Sequence, residues 1–524
     1  MGRVSRALYK RKYKKRRAAL DDMLARCDEV AFLQLAWAVN ALQSDKGVDV
    51  RPYLHFPPEA ATTSVRDQYT VHKWDIETLI TLLFSSRKAA RRRGESTQYR
   101  YDEFATLSKA VNLLRDAENC ESGVIVDDSN ILMEMHRIGH RQFGWQRGFA
   151  TTERLYRFAF VYTHGSCADY FEETNNLSMQ DFLKVGFLLY AQLHHFPWSG
   201  PGAVNELGID TPLIEKCLPL FSRSLTEIRK EALALIEAQR KKGHARIAYL
   251  PSVLRQFPIV TDPTGNTYIA PLPQLIIFRM TAGLYYDIRN GPPNLIAEAN
   301  DRFEQYARQA LQNFFPRFTV LPSQKYGPKK TRVDSPDILI KDGSSINAVV
   351  ECKASKLTYE AQFSENPIED AHQGYAQLVK GITQIWRFFS HARRGVFSEI
   401  PVADDAVGIV LTMDSWMQAS KELQQDALGL ARDALKETPD VIEADMRPII
   451  FCSMQDLSDI MFVSDEDRFV ATLKNASLEE YQGWPLMQVR RETCGEQLSR
   501  EFPFDIGELL PWWEQLHNNS ERRA

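Results

Sequence analysis

Three ionisable side chains with the character of a catalytic site lie within one short segment of the chain. Asp337 follows a proline, and 13 residues separate it from Glu351, which stands two residues before Lys353. Side chains alternate along a strand, so Glu351 and Lys353 are expected on the same face. The turn residues Asp342–Ser345 predict a hairpin that brings Asp337 beside them. The spacing therefore predicts two carboxylates and one lysine converging on one point, where their burial would be costly without partners.

These residue types suit the hydrolysis of a phosphodiester bond. Asp337 and Glu351 supply the hard oxygen ligands that Mg²⁺ prefers, with Mn²⁺ as a substitute, and the backbone carbonyl of Cys352 can add a third protein oxygen. Such an ion polarises the scissile phosphate and lowers the pKa of a bound water. Lys353 would orient that water or neutralise charge that develops on the phosphate. The alternative is a surface Glu–Lys pair beside an ordinary hairpin aspartate, because short motifs also match by chance.

The elements that must position these residues form a mixed α/β pattern. Apolar periodicity and turn residues predict, in order, a helix over 296–315, strands over 336–341 and 346–354, a helix over 371–390, strands over 406–413 and 448–453, and a helix from about 456. On the second strand, strict alternation predicts one apolar face formed by Ile346, Ala348, Val350, Cys352 and Ala354.

Pro336-Asp337 and Glu351-Cys352-Lys353 resemble the motif of the PD-(D/E)xK nuclease superfamily, in which Asp/Glu-x-Lys follows Pro-Asp after about 10–30 residues. Phe303-Glu304 in the preceding helix is similar to the Phe-Glu of Mrr-type restriction endonucleases. Gln377 in the following helix matches the glutamine that several branches carry there. The resemblance covers about residues 296–465, a third of the chain.

This resemblance implies a fold and a role for each matching residue. The fold is a restriction-endonuclease-like core with a mixed sheet in the C-terminal half, after a large mainly α-helical region. Asp337 and Glu351 would hold the metal, Lys353 would assist the attacking water, and Glu304 and Gln377 would support the site. Gln377 also belongs to a polar helix stripe that a solvated face would explain equally well.

The resemblance also implies the substrate and the partners. The similar families mostly cut DNA, which favours a DNA endonuclease with a role in restriction or phage defence, while RNA remains an alternative substrate. Many restriction-type nucleases act as dimers, so a homodimer is a candidate assembly. The chain has no G-x-x-x-x-G-K-[ST] and no G-x-G-x-x-G, so an ATPase or a sensor working with it would be a separate chain.

A basic loop directly precedes Asp337. It contains Lys325, Lys329, Lys330 and Arg332 among proline and glycine residues, and Lys356 follows the second strand. These five cations are candidates for gripping a phosphate backbone and delivering it to the metal. The alternative for the same residues is a simple contribution to solubility.

The charge is distributed unevenly between the N-terminus and the rest of the chain. Nine basic residues precede the first acid, Asp21, and the rest contains 55 basic and 68 acidic residues, a net charge of −13. Nucleic-acid binding must therefore come from local basic patches. The basic N-terminus and a second patch over 87–93 are also typical of solvated faces or a frayed tail. Without an apolar anchor, the N-terminus would attach to a membrane surface only weakly.

The composition indicates an intracellular protein. Apolar residues make up 44% and charged residues 25% of the chain, both near globular averages. The seven cysteines are scattered and never spaced as CxxC, which argues against disulfides and a zinc ribbon. No apolar run approaches the length of a membrane span, and no secretory signal is evident. We therefore expect a cytoplasmic protein without a membrane partner.

Changes in composition and in apolar periodicity along the chain predict five regions. They are a basic tail over 1–20, a mainly helical domain over 21–248, a Pro-rich β-hairpin connector over 249–290, the nuclease-like domain over 291–470, and a C-terminal extension over 471–524.

Two other interpretations compete with catalysis. The nuclease-like fold also serves as a non-catalytic scaffold for nucleic acid or for a partner, although three mutually unfavourable charges argue against a degenerate site. His136 and His140 have the spacing of a zinc pair, but they lack a third ligand and the H-E-x-x-H motif. A buried polar network or an inter-domain contact is the favoured interpretation of that segment.

Overall fold

Helices occupy most of the described chain between residues 21 and 241, as the apolar periodicity predicts. Two further helices, Gln274–Met280 and Leu284–Arg289, lie in the segment 249–290 that was predicted as a Pro-rich β-hairpin connector. The computed structural model describes residues 3–44, 47–88, 99–126, 130–200, 202–203, 209–243, 246–354, 356–357, 362–364, 367–415 and 420–514. No helix within these ranges has the length and apolar character needed to cross a bilayer. In chain order the described helices are α1 (Arg3–Arg26), α2 (Glu29–Ser44), α3 (Lys73–Ser85), α4 (Phe104–Ile125), α5 (Ile131–Arg147), α6 (Thr152–Tyr162), α7 (Gly165–Asn175), α8 (Met179–His195), α9 (Thr211–Phe221), α10 (Leu225–Lys241), α11 (Gln274–Met280), α12 (Leu284–Arg289), α13 (Pro293–Phe314), α14 (Pro367–Asp370), α15 (His372–Arg393), α16 (Lys421–Leu435), α17 (Met454–Met461), α18 (Glu466–Ala476) and α19 (Leu486–Thr493).

The strands form mixed sheets, so the protein belongs to the predicted mixed α/β class. The largest sheet has five strands in the order β10-β9-β8-β7-β4, in which β4, β7 and β8 pair antiparallel and β8, β9 and β10 pair parallel. The predicted hairpin near residue 265 is present as β2 and β3, and β1 joins it in parallel. The described strands are β1 (Ser222–Ser224), β2 (Ile259–Thr261), β3 (Tyr268–Ile269), β4 (Thr319–Pro322), β5 (Lys325–Tyr326), β6 (Val333–Asp334), β7 (Ile338–Asp342), β8 (Ser345–Lys353), β9 (Val402–Thr412) and β10 (Ile449–Ser453).

The chain divides into two compact units that do not follow the predicted domain boundaries. The helical unit consists of Met1–Ile131, Arg141–Thr151 and Ala168–Asp287. The sheet unit consists of Leu132–His140, Thr152–Cys167 and Ile288–Ala524. The last division, between residues 287 and 288, lies close to the predicted end of the connector at residue 290.

The compact units divide the segment 21–248, which was predicted as one helical domain, because α6 packs with the sheet unit. Tyr306 of α13 donates a hydrogen bond to the Glu153 carboxylate of α6 at 2.7 Å. The ring of Tyr156 lies 6.2 Å from that of Tyr306, and both residues are buried. The apolar periodicity of α6 shows that one face is buried, but it does not identify the helix against which that face packs.

Within the expected basic tail over residues 1–20, residues 3–20 form most of helix α1, which packs on α4. A Cβ atom at Gly123 of α4 would lie 2.7 Å from the ring of Tyr9, so the absence of a side chain there makes room for the tyrosine. Leu20 and Leu24 are fully buried. The helix also carries a narrow stripe of apolar residues, which is difficult to recognise among the many basic residues in the sequence. This stripe is sufficient to hold α1 on α4.

The predicted boundary of a C-terminal extension at residue 471 falls inside α18, and residues 471–514 belong to the sheet unit. Phe469 of α18 is fully buried, with its ring 4.5 Å from that of Phe315. Arg490 of α19 is also fully buried and donates to the carbonyl oxygens of Val463 and Gly495. These contacts join the last described helices to the sheet unit.

Helix α15 packs along the sheet with the apolar stripe predicted for it. Gly408 of β9 allows the helix to lie close to the sheet. A Cβ atom at this position would lie 2.7 Å from Ile385 Cγ2. The buried residues of the stripe, which form one cluster with Leu339, Val349 and Val410 of the strands, are Tyr375, Leu378, Ile382, Ile385, Trp386 and Phe389.

A β-bulge changes the predicted faces of β8. The register with β7 shifts between Ile340 and Lys341, and the register with β9 shifts between Ile346 and Ala348. Ile346 therefore shares a cluster with Val349 beneath α15, which corrects its predicted place on the face of Ala348. A bulge places two residues opposite one, so the alternation changes phase at that point.

Trp386 offers a test of how strongly α15 is held on the sheet. Its side chain is 1% exposed, and its indole N–H donates to the Arg447 carbonyl oxygen at 2.9 Å. We expect Trp386→Ala to lower the free energy of unfolding by about 3–5 kcal/mol through the cavity it leaves. Chemical denaturation followed by circular dichroism measures this loss. Arg387→Ala, at an exposed position of the same helix, is the control and should stay within about 0.5 kcal/mol of wild type. Equal losses for the two variants would contradict the packing described.

Candidate active site

The direction of the strands brings Asp337, Glu351 and Lys353 to one edge of the five-stranded sheet. Antiparallel pairing of Ile338 with Val350 sets the start of β7 beside the end of β8. The backbone N–H of Cys352 donates to Asp337 Oδ2 at 2.7 Å. Lys353 Nζ donates to Glu351 Oε1, also at 2.7 Å. The predicted convergence of these side chains on one locality is therefore present.

Pro336 lies just before the end of the ladder between β7 and β8. The paired register of these strands ends at Ile338 and Val350. Proline has no N–H, so Pro336 cannot donate a further ladder hydrogen bond. The chain bends at Asp337, whose carboxylate takes the place of a backbone acceptor for the Cys352 N–H. The Pro-Asp pair thus ends the ladder beside Cys352.

Glu351 is the most strongly desolvated member of the site. Its side chain is 2% exposed, and its second oxygen, Oε2, is buried without a hydrogen-bond partner. Burial raises the pKa of Glu351 to about 7, and the Asp337 carboxylate adds to the rise, while Lys353 opposes it. A buried carboxylate oxygen without a partner is costly, so the site is poised to gain a ligand for it.

Glu304 of α13 joins the same electrostatic cluster. Burial raises its pKa to about 8, and the carboxylates of Asp337, Asp301 and Glu351 contribute in that order. Burial likewise raises the pKa of Asp337, although the hydrogen bond from Cys352 opposes the rise. Asp301 was not identified from the sequence. Its position one helical turn before Glu304 was the available signal, because residues three apart share a helix face.

Helix α15 approaches the ion pair at a glycine. A Cβ atom at Gly381 would lie 3.1 Å from Glu351 Cγ and 3.2 Å from Lys353 Cε. Gln377, one turn earlier, is exposed, and no described contact joins it to the site, so its supporting role stays a prediction. Gln384, from the same polar stripe, has a buried side-chain oxygen without a hydrogen-bond partner. Lys380 contributes a positive charge that lowers the pKa of Glu351.

The basic loop before Asp337 is a small hairpin. Strands β5 and β6 pair antiparallel, and Gly327 begins the connection with φ of +90°, a conformation that favours glycine. Tyr326 anchors the hairpin through its hydroxyl group, 2.7 Å from His391 Nδ1 of α15. The four predicted cations of the loop are all exposed to solvent: Lys325, Lys329, Lys330 and Arg332.

Two other basic positions do not join this surface. Lys356 was expected to extend it, but its side chain is only 9% exposed and forms an ion pair with Asp414 at 3.2 Å. Strands β8 and β9 run parallel, so their ends lie side by side. Lys356, which follows β8, therefore meets Asp414, which follows β9. In the second patch, Lys88 pairs with Glu29 at 3.5 Å. Arg91–Arg93 of that patch lie outside the described residues.

His136 and His140 contact each other within a segment that contains buried polar side chains, and their place in a polar network or an inter-domain contact stays a prediction. The rings of His136 and His140 meet edge to face with centroids 4.4 Å apart, and His136 is fully buried. Arg137, between them, donates to Glu134 at 2.9 Å and to the carbonyl oxygen of Ser364 at 2.8 Å.

The oxygen atoms at the sheet edge fit a hard divalent cation. Glu351 Oε2 is buried and unpaired, Asp337 Oδ1 makes no hydrogen bond to a described residue, and the Cys352 backbone lies beside the Asp337 carboxylate. No three His, Cys, Asp or Glu side chains in the described ranges are grouped to hold a metal by themselves. Two carboxylates plus a carbonyl, with water and substrate oxygens completing the shell, is a usual arrangement for Mg²⁺.

Comparison with protein-family models, with curated proteins and with solved structures finds no match for this chain. Its function must therefore be inferred from the residues and their geometry.

The raised pKa of Glu304 predicts how stability depends on pH. Folding raises this pKa from 4.5 to about 8, so the folded state binds more protons. The stabilisation it contributes is complete below about pH 4.5 and is lost as the pH rises through about 8. We expect the melting temperature in EDTA to fall between pH 5 and pH 8.5, and to fall less for Glu304→Gln, because an amide cannot ionise.

Thermal melts of wild type, Glu304→Gln and Glu399→Gln at a series of pH values check this expectation. Glu399 is exposed and serves as the control for loss of one carboxyl group. Parallel pH curves for wild type and Glu304→Gln would contradict the assigned environment of Glu304.

Proposed function

We propose that this chain is a Mg²⁺-dependent nuclease that hydrolyses phosphodiester bonds, with DNA as its substrate. The observation that carries the proposal is the ion pair between the buried Glu351 and the partly buried Lys353 beside Asp337, at the edge of a mixed sheet. Removing such charged groups from water destabilises a fold, so structure alone does not account for them. Groups with perturbed pKa values cluster at functional sites.

The metal would be held by Asp337, Glu351 and the Cys352 carbonyl. Such an ion supplies Lewis-acid polarisation of the phosphate and an acidified water. Burial and, after it, repulsion from the Asp337 carboxylate raise the pKa of Glu351; a bound cation would satisfy Glu351 Oε2 and offset both effects. Metal binding is expected to release protons from this cluster, because carboxylates bind cations in their ionised form.

Lys353 and Glu304 have separate roles in this proposal. Lys353 gives one N–H to Glu351, and its ammonium group has further N–H groups to orient a water or contact a phosphate oxygen. Glu304, with a pKa raised to about 8, holds a proton at neutral pH and can donate it to a neighbouring oxygen. Gly381 keeps the ion pair confined by allowing α15 to approach it closely.

The topology supports the resemblance to restriction-endonuclease-like cores. A helix, an antiparallel pair carrying Pro-Asp and Glu-x-Lys, a second helix and a parallel strand follow one another in the order α13, β7, β8, α15, β9. The exposed cations of the β5–β6 hairpin precede Asp337 in the chain, which supports a charged substrate backbone near the site. A role in restriction or phage defence is part of the same proposal and rests on the resemblance.

Cleavage assays test the proposal directly. Purified protein is incubated with supercoiled plasmid, linear duplex DNA, single-stranded DNA and RNA, with Mg²⁺ or Mn²⁺. We expect cleavage of DNA that is lost in EDTA and reduced by at least about 100-fold in Asp337→Ala and Glu351→Ala, because each removes a group needed for charge stabilisation. Lys353→Ala should lose activity while retaining metal binding measured by calorimetry.

Glu399→Ala is the matched control, since it removes an exposed carboxylate far along the chain from the motif. Equal behaviour of wild type, Asp337→Ala and Glu351→Ala on every substrate, with no Mn²⁺ binding to wild type, would favour the non-catalytic scaffold instead. For the defence role, wild type should restrict phage growth in a host where Glu351→Ala does not.

The basic hairpin gives a separate prediction about substrate binding. Replacing Lys329, Lys330 and Arg332 by alanine should weaken duplex DNA binding and reduce the salt slope of log K by about 0.9 for each phosphate that is no longer neutralised. Fluorescence anisotropy in EDTA over a series of NaCl concentrations measures the slope. The control replaces three exposed lysines of the helical unit, Lys230, Lys241 and Lys242. An identical fall in slope for both sets would show that net charge, and not the hairpin, controls binding.

A further inference from the structure

Helix α1 presents a concentrated positive charge to solvent. Between residues 6 and 16 it contains no acidic residue, and among the described residues none forms an ion pair with Lys10, Arg11, Lys14 or Lys15. All four of these cations are exposed, whereas Arg16 pairs with Asp116 of α4 at 3.3 Å. We call Lys10, Arg11, Lys14 and Lys15 the α1 basic face.

The helix that carries this face is held in place along its other side. Tyr9 packs over Gly123 of α4, and Leu20 and Leu24 are buried further along the same stripe. Tyr13 is also on this side, and burial, followed by the charge of Glu121, raises its pKa to about 12. The α1 basic face is therefore a fixed surface of the helical unit.

Local energetics oppose this arrangement of charge. Lys10 and Lys14, and likewise Arg11 and Lys15, are four residues apart on the helix, where like charges destabilise it by about 0.2–0.5 kcal/mol per pair. Helix stability does not explain the basic face, whereas an external polyanion would relieve this repulsion.

We propose that the α1 basic face binds the phosphate backbone of duplex DNA. Charge complementarity identifies the class of ligand, because this face is strongly cationic while the chain outside the first 20 residues has a net charge of −13. An anionic membrane is disfavoured, since membrane-surface helices insert an apolar face, and the apolar stripe of α1 is occupied by α4. The choice of DNA as the polyanion rests on the proposed function, but the binding itself does not require catalysis.

Salt-dependent binding of the full chain tests this proposal. The variant replaces Lys10, Arg11, Lys14 and Lys15 by glutamine, which keeps helix propensity. Binding to a random-sequence DNA duplex is measured by fluorescence anisotropy in EDTA, so cleavage does not contribute. We expect the slope of log K against log [NaCl] to fall by up to about 3.6, at about 0.9 per phosphate neutralised. The melting temperature should stay equal or rise, because like-charge repulsion is removed.

The matched control neutralises four exposed lysines elsewhere in the same unit, Lys216, Lys230, Lys241 and Lys242. It should leave the slope near that of wild type. An unchanged slope in the α1 variant would overturn the proposal, as would an equal fall in the control. Loss of binding to phosphatidylserine vesicles with DNA binding unchanged would overturn it in favour of a membrane surface. Binding is measured without cleavage, so a negative cleavage assay does not affect this result. The binding proposal and the nuclease proposal can therefore be rejected independently.

Discussion

The burial of the Glu351 carboxylate is the constraint on which the rest of the site depends, because the groups around it must compensate for a charge removed from water. An ionised carboxylate removed from water requires compensation, and Lys353 provides it for one oxygen only, at 2.7 Å. Asp337 brings a second negative charge to the same place, which adds to the effect of burial on the pKa of Glu351. The second oxygen, without a partner, leaves the cluster incomplete as it stands. A cation at this point would complete it, and the proposed function follows from that chemistry.

The sheet explains how this cluster forms at one place. Strand β8 is antiparallel to β7 and parallel to β9, so its carboxyl end meets the start of β7 and the end of β9. Asp337 therefore approaches from one side, while the turn after β9 brings Asp414 to Lys356 on the other. Two glycines, Gly381 and Gly408, allow α15 to lie close against this region. A side chain at either glycine would require the helix or its neighbours to shift.

The charge distribution separates two kinds of basic residue. Some are neutralised within the fold, as Lys356 is by Asp414 and Lys88 is by Glu29. Others, such as Lys329 of the β5–β6 hairpin and Lys10 of the α1 basic face, are exposed on fixed elements. Because the remainder of the chain is acidic, these surfaces would concentrate a polyanion locally while the rest of the protein repels it.

The local part of the site could be predicted from the residues alone. The convergence of Asp337, Glu351 and Lys353 follows from one hairpin and a two-residue period, so no distant contact is needed to predict it. The apolar stripe of α15 and the strands of the large sheet were predictable for the same reason.

The remaining features depend on contacts between residues far apart in the chain. The bulge in β8, the docking of α1 on α4 and the packing of α6 with the sheet unit all belong to this group. So does the pairing of Lys356 with Asp414. Periodicity shows that a face is buried or a charge is present, but the identity of the partner is decided by packing of the whole unit, which only the tertiary structure contains.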